Sequence, residues 1–112
     1  MNSTSTKSSY NRVVAYGKVL EKNTKSFQRE NKDYMFLQLV ILCEFYEYIT
    51  DKVFTKLHVT NVWNPKLLSI CETIEVGDTV EVESYVETER NRKDPGTFYH
   101  KMNATRVIKI EQ

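Results

Sequence analysis

The chain has little cysteine, glycine and proline for its 112 residues: two cysteines, three glycines and two prolines. Cys43 and Cys71 form no Cys-x-x-Cys pair, and His58 and His100 are the only histidines. These four residues are too few and too scattered for a zinc site. We therefore expect no metal, no cofactor, and two reduced thiols that are mostly buried.

Long apolar segments and excess charge are also missing. No run of 18 apolar residues occurs, and the N-terminus lacks the apolar segment of a secretory signal, so we expect a soluble intracellular protein with no membrane partner. The net charge of +1, from 16 basic and 15 acidic residues, argues against a duplex-DNA binder that relies on neutralising many phosphates. Any nucleic-acid affinity must come from local patches and from stacking.

Motifs of enzymes are missing as well. The chain has no phosphate-binding glycine loop and no nucleophile elbow, and its glycines at 17, 77 and 96 each suit a turn or a bulge. Cys71 could be a nucleophile only with partners from elsewhere, and it lies on the apolar side of a predicted helix. We predict that the protein is not an enzyme.

Residues 1–10 are rich in serine and threonine, which predicts a disordered tail or the end of a processed presequence, and residues 11–112 are predicted to form one domain. The first strand is predicted at 12–20, where the interior Gly17 indicates a bulge or a bend. The polar segment 23–33 predicts an exposed loop or hairpin tip. Residues 34–43 are apolar on both faces, and the β-forming residues that follow favour a strand over a helix. Such a strand needs its outer face covered, for example by a second subunit.

The second half of the chain alternates strands with one short helix. A third strand is predicted at 53–63, followed by Asn64 as helix N-cap, Pro65 in the first turn and apolar residues at helical spacing from Leu67 to Ile74. Further strands at 78–89 and 98–110 flank a loop at 91–96. In the first of these, Val80 and Val82 are predicted to point inward and Glu81 and Glu83 outward. This order predicts an all-β, five-stranded, partly open barrel with one short helix between strands 3 and 4, the OB fold.

Three segments resemble one family of proteins. Residues 11–19, the corner Val62-Trp63-Asn64-Pro65-Lys66-Leu67, and residues 76–83 are similar to homotetrameric single-stranded DNA-binding proteins of the bacterial and mitochondrial type, more so to the mitochondrial branch. The resemblance implies sequence-independent binding of single-stranded DNA by a homotetramer during mitochondrial DNA replication, with replisome proteins as possible partners.

The chain departs from this family at four positions, one of which is Ser84, where the family has glycine. Where the family has Trp-His-Arg in strand three, this chain has Leu57-His58-Val59, and an aromatic expected in the last loop is Asn91. These changes leave two alternatives open. One is an OB-fold structural subunit of a replication, telomere or ribonucleoprotein complex, and the other is an RNA-binding protein.

A groove for single strands needs flat apolar rings for the bases and cations for the backbone, although core packing is the usual fate of aromatic residues. The resemblance places His58 near subunit contacts. The predicted stacking residues are Phe45, Tyr46, Tyr48, Trp63, Phe98 and Tyr99. The predicted phosphate contacts are Lys18, Lys52, Lys56, Arg90, Arg92, Lys93 and Lys101, and the predicted oligomer interface includes His58, Val13 and Phe36.

Overall fold

The chain forms a closed five-stranded barrel with strand order β1-β2-β3-β5-β4. This computed structural model describes residues 11–111, so the predicted disordered tail lies outside the described residues. The elements are β1 (Val13–Arg29), β2 (Lys32–Glu47), β3 (Lys52–Val62), α1 (Pro65–Cys71), β4 (Thr79–Arg90) and β5 (Phe98–Lys109). The predicted OB architecture, with its single helix between the third and fourth strands, is confirmed.

The strand β1 is long because it serves two neighbours in turn. Its residues 13–18 pair with β4 and its residues 18–29 pair with β2, and a bulge between Val19 and Glu21 accompanies this change of partner. The barrel closes where β3 and β5 run parallel and meet at the pair Asn61 and Asn103.

The role of Gly17 differs from its prediction. The irregularity of β1 lies three residues later, beyond Val19, and not at Gly17. A Cβ atom at Gly17 would lie 2.1 Å from the carbonyl oxygen of Leu42, so this position requires glycine because the β2 backbone passes too close for any side chain.

The prediction of a loop over 23–33 was wrong for all but the tip of a hairpin. β1 continues to Arg29 and β2 begins at Lys32, and only Glu30 and Asn31 form the turn. Both turn residues have positive φ, 53° and 65°, as a two-residue hairpin turn of the twist-matching type requires. We call residues 23–38 the β1–β2 arm. Cross-strand pairing and the turn outweigh the low strand propensity of this polar segment.

The barrel interior is aliphatic. Val80 and Val82 of β4 are fully buried, which confirms their predicted inward orientation, and Thr60 and Ser84 form a buried hydroxyl pair 2.7 Å apart. The core residues are Val19, Leu37, Leu39, Ile41, Val62, Leu67, Cys71, Ile74, Val80, Val82 and Val107.

The helix α1 begins and ends as capping rules describe. The Asn64 side chain accepts a 2.8 Å hydrogen bond from the Lys66 amide, and Pro65 occupies the first turn, as predicted. At the other end, the Lys22 ammonium donates to the carbonyl oxygens of Cys71 and Ile74 at 2.8 and 2.6 Å, which ties the helix end to β1. Among residues 11–111 no helix has the length and apolar character needed to cross a membrane.

Candidate nucleic-acid interface

The pairing of β2 with β3 runs without a register shift from Leu37 and Val62 to Glu47 and Lys52. Side chains therefore alternate strictly between two faces. One face points into the barrel. We call the other the outer face, and on β2 and β3 it carries Phe36, Gln38, Val40, Leu42, Glu44, Tyr46, Val53, Thr55, Leu57, Val59, Asn61 and Trp63.

Four aromatic rings cluster at one end of the outer face. Phe36 stacks on Trp63 with ring centroids 4.2 Å apart and planes 22° apart. Phe27 contacts Trp63 edge-on at 5.9 Å and stacks on Tyr34 at 5.4 Å. Trp63 is 40% exposed, and Phe27 and Tyr34 are each 41% exposed, so the cluster offers open ring surface to the solvent. We call these four residues the ring cluster.

Sequence reasoning identified only part of this cluster. Trp63, a predicted stacking residue, lies on the surface. Phe36, predicted at an oligomer interface, stacks on Trp63. Phe27 and Tyr34 were missed, although Phe27 is the one apolar residue among residues 23–33 and its isolation was a usable signal.

The Trp63 ring is held by a buried amide. Its Nε1 donates a 3.1 Å hydrogen bond to Oδ1 of Asn103, and the Nδ2 of Asn103 donates to Glu87 at 3.1 Å. Asn103 is itself buried at the point where β3 meets β5. The ring is thus oriented before any ligand arrives, which reduces the entropy lost on binding.

The middle of the outer face is aliphatic. Leu57 and Val59 point outward and are 62% and 39% exposed, next to Leu42 and the buried Val40. These are the positions where the resembling family has Trp and Arg. On β2 and β3, this part of the face therefore offers bases neither a ring nor a cation.

The aromatic residues predicted at the end of β2 divide between the two faces. Tyr46 lies on the outer face, and its hydroxyl donates to Asp51 across the hairpin turn. Phe45 points to the opposite face, where it stacks on Phe54 at 5.4 Å. Tyr48 is 86% exposed in the turn and meets Tyr46 edge-on at 5.0 Å. Phe45 and Trp63 therefore do not share one surface.

The predicted lysines of the first three strands also lie on different faces. Lys18 is exposed on the outer face opposite Leu42. Lys52 and Lys56 are exposed on the other face, in register with Glu47 and Cys43. Only Lys18 of these three can contact a strand lying on the outer face.

The β4–β5 hairpin presents mixed charge near Trp63. Tyr99 and Lys101 share a face with Asn103, but Lys101 forms an ion pair with Glu89 at 3.4 Å. On the opposite face the Arg90 guanidinium lies 4.6 Å above the Phe98 ring. The remaining predicted cations, Arg92 and Lys93, are exposed in the loop between the two strands.

The residues predicted for an oligomer interface do not lie together. His58 lines an open cleft of about 860 Å³ between the first half of β1 and the far half of β2 and β3. Among residues 11–111 its Nε2 has no hydrogen-bond partner. The exposed Val14 and Tyr16 also line this cleft, whereas Val13 is partly buried and does not line it.

Neither cysteine has a disulfide partner among the described residues, and Cys71 is buried in the core as predicted, whereas Cys43 is only partly buried. Burial raises the pKa of both thiols, because the thiolate loses its hydration. In the part of the chain that the structure describes, no group of three His, Cys, Asp or Glu residues is arranged to hold a metal.

Acid sensitivity should arise in part at His58, where burial lowers the pKa from its ordinary value of 6.5. The unfolded chain then takes up a proton at higher pH than the folded chain, so this contribution to stability is complete above the unfolded pKa and is lost as pH falls through the folded pKa. We expect His58→Gln to lose less stability than the parent chain between about pH 7 and pH 5. Urea unfolding across this range measures the difference, and equal losses in both proteins would contradict it.

Comparison with protein families and with curated proteins finds no match. Comparison with solved structures finds matches. The mitochondrial single-stranded DNA-binding protein of S. cerevisiae has a TM-score of 0.67 at 12% identity, over 92% of this chain and 98% of that one. The Plasmodium falciparum protein, solved in complex with single-stranded DNA, has a TM-score of 0.64 at 15% identity over 99% and 100% of the two chains.

A bacterial protein gives the same result. The single-stranded DNA-binding protein of Thermus aquaticus has a TM-score of 0.67 at 15% identity, and the match spans 90% of this chain and half of that one. At these identities the likeness establishes architecture. This chain therefore has the OB fold in the form found in single-stranded DNA-binding proteins of bacteria, mitochondria and Plasmodium.

Proposed function

We propose that this protein binds single-stranded DNA without sequence preference, on the outer face of β1, β2 and β3. The observation that carries the proposal is the ring cluster, in which Trp63 is stacked on Phe36, oriented by Asn103 and still 40% exposed. The fold that this chain shares with proteins named for single-stranded DNA binding supports the proposal. Each base stacked on an aromatic side chain contributes roughly 1–3 kcal/mol and requires no particular sequence.

The same proposal includes a homotetramer. A net charge of +1 gives one domain little general attraction for phosphates, and four linked sites would multiply a modest affinity. Val14 and Tyr16 are exposed in the same cleft as His58, whose Nε2 has no hydrogen-bond partner among residues 11–111. They support a contact with a second copy, because such a contact would cover apolar surface and offer Nε2 a partner.

Replication of mitochondrial DNA is the proposed setting. It rests on the likeness of the Val62 to Leu67 corner to the mitochondrial branch and on the fold shared with the yeast mitochondrial protein. Leu57 and Val59 favour a second candidate, a structural subunit of a nucleoprotein complex, because they remove a ring and a cation from the middle of the face.

Titration of dT oligomers into the protein separates these functions. We expect quenching of Trp63 fluorescence, weaker binding as salt rises, and a tetrameric mass by light scattering. A parallel titration with rU oligomers compares DNA with RNA. Absence of binding to either polymer at low salt, in any oligomeric state, would overturn the proposal in favour of the structural subunit, and a monomeric mass at micromolar concentration would overturn the tetramer.

A further inference from the structure

The β1–β2 arm carries aromatic and basic side chains on the same face. In an antiparallel ladder, directly paired residues share a face. The pairs on the outer face of the arm are Asn23 with Gln38, Lys25 with Phe36, Phe27 with Tyr34, and Arg29 with Lys32. Beyond the first pair, three cations and three rings thus share this face of the arm, and the fourth ring, Trp63, lies at its base.

The carboxylates of the arm lie elsewhere. Asp33 belongs to the opposite face, where it accepts a 2.9 Å hydrogen bond from Gln28. Glu30 is in the turn. Among residues 23–38 the outer face therefore holds cations and no carboxylate, unlike the β4–β5 hairpin, where Glu89 pairs with Lys101.

We propose that this face of the arm is a base-stacking subsite, with Phe27 and Tyr34 as stacking residues and Lys25, Arg29 and Lys32 as phosphate contacts. It rests on the proposed function and extends it, since it continues the path of the bound strand from Trp63 toward the turn. The arm then supplies the rings and cations for DNA that Leu57 and Val59 do not supply in the middle of the outer face. Among residues 11–111 none of these three cations forms an ion pair. Flat rings beside such cations suit a single-stranded polyanion as the ligand.

The length of the arm determines how the affinity depends on the length of the oligomer. The five residues from Lys32 to Phe36 span about 13 Å of strand. A short oligomer held at Trp63 and Phe36 would leave this surface empty, whereas a longer one would cover it. The subsite therefore predicts an affinity that rises with oligomer length beyond the central site.

The first test replaces the two rings. Phe27→Thr/Tyr34→Thr keeps strand-forming residues, and we expect it to bind long dT oligomers about 5- to 100-fold more weakly, the effect of losing one stacked base. The affinity for the shortest dT oligomer that the parent protein still binds should change by less than about twofold. The matched control is Met35→Thr, which removes an apolar side chain that is 60% exposed on the opposite face of the same arm. It should bind both lengths as the parent does.

The second test replaces the cations and does not depend on the rings. Each phosphate contact on a single strand contributes roughly 0.7 to the slope of log affinity against log salt. Lys25→Gln/Arg29→Gln/Lys32→Gln should therefore lower the slope for long oligomers by about 2. Lys66→Gln, which removes an exposed lysine of α1, is the control and should leave the slope unchanged.

The outcomes separate the subsite from the function. If the parent protein binds dT and both arm variants match it in affinity and slope, the subsite is wrong and single-stranded DNA binding stands. If the parent protein binds no oligomer, the proposed function fails and the subsite with it. Circular dichroism melting of each variant identifies loss of the fold. If the ring variant unfolds, the cation variant tests the subsite, because it alters only exposed side chains.

Discussion

Gly17→Ala is expected to lower the free energy of unfolding by about 3 kcal/mol or more, a large share of the roughly 5–15 kcal/mol available to a domain of this size. The added Cβ would lie 2.1 Å from the carbonyl oxygen of Leu42 and 3.0 Å from a methyl group of Ile41. A side chain in the way could rotate, but a carbonyl within a strand cannot move without breaking the pairing of β1 with β2. The effect therefore exceeds that of ordinary overpacking.

Gly96→Ala is the matched control for this prediction. A Cβ at Gly96 would have its nearest neighbour, a carboxylate oxygen of Asp94, at an ordinary 3.7 Å. We expect a change within about 0.5 kcal/mol, as for most exposed positions. Urea unfolding of both variants measures the contrast, and similar stabilities would show that β1 and β2 do not approach each other as described.

Trp63→Ala is expected to weaken binding of dT oligomers about 10- to 100-fold. The substitution removes the ring that stacks on Phe36, and it leaves the buried Asn103 without the donor that its Oδ1 accepts from. Stability should fall as well, by about 1–3 kcal/mol, because an unpaired buried amide is costly. Since Trp63 is the only tryptophan, the anisotropy of a dye-labelled oligomer has to report binding.

Trp63→Phe distinguishes stacking from positioning. Phenylalanine retains a ring against Phe36 but cannot donate to Asn103, so both variants lose the hydrogen bond and only alanine loses the ring. We expect Trp63→Phe to bind several-fold more weakly than the parent and clearly more tightly than Trp63→Ala. If both variants bind as the parent does, bases do not stack at this position. If both are equally weak, the orientation imposed by Asn103 matters more than ring area.

Much of the barrel could be read from local patterns. The capping side chain of Asn64, the proline after it and the apolar spacing beyond it located α1, because helix starts depend on neighbouring residues. The alternation of Val80 and Val82 with glutamates located β4 and its buried face. The arm was misread because its strands are polar and are stabilised by pairing with each other, which no local propensity reports.

The candidate site was harder to predict than the fold. Which of Phe45 and Tyr46 shares a surface with Trp63 depends on strand register, and a difference of one residue reverses the face. Asn103 is 40 residues from Trp63 in the chain, so nothing near either residue indicates their hydrogen bond. The grouping of rings and cations on one face of the arm becomes visible only when Phe27 is paired with Tyr34.

The amino-acid sequence is enough to predict the order of strands and helix along the chain, the inward-facing aliphatic positions and the aromatic and basic content of a nearly neutral protein. These properties follow from short-range periodicity and capping, which act between residues a few positions apart. The three-dimensional arrangement of the strands is needed to show which rings meet, which cations lie beside carboxylates, and why Gly17 must be glycine. Those properties depend on contacts between strands distant in sequence, where register and barrel closure place side chains within a few ångströms of one another.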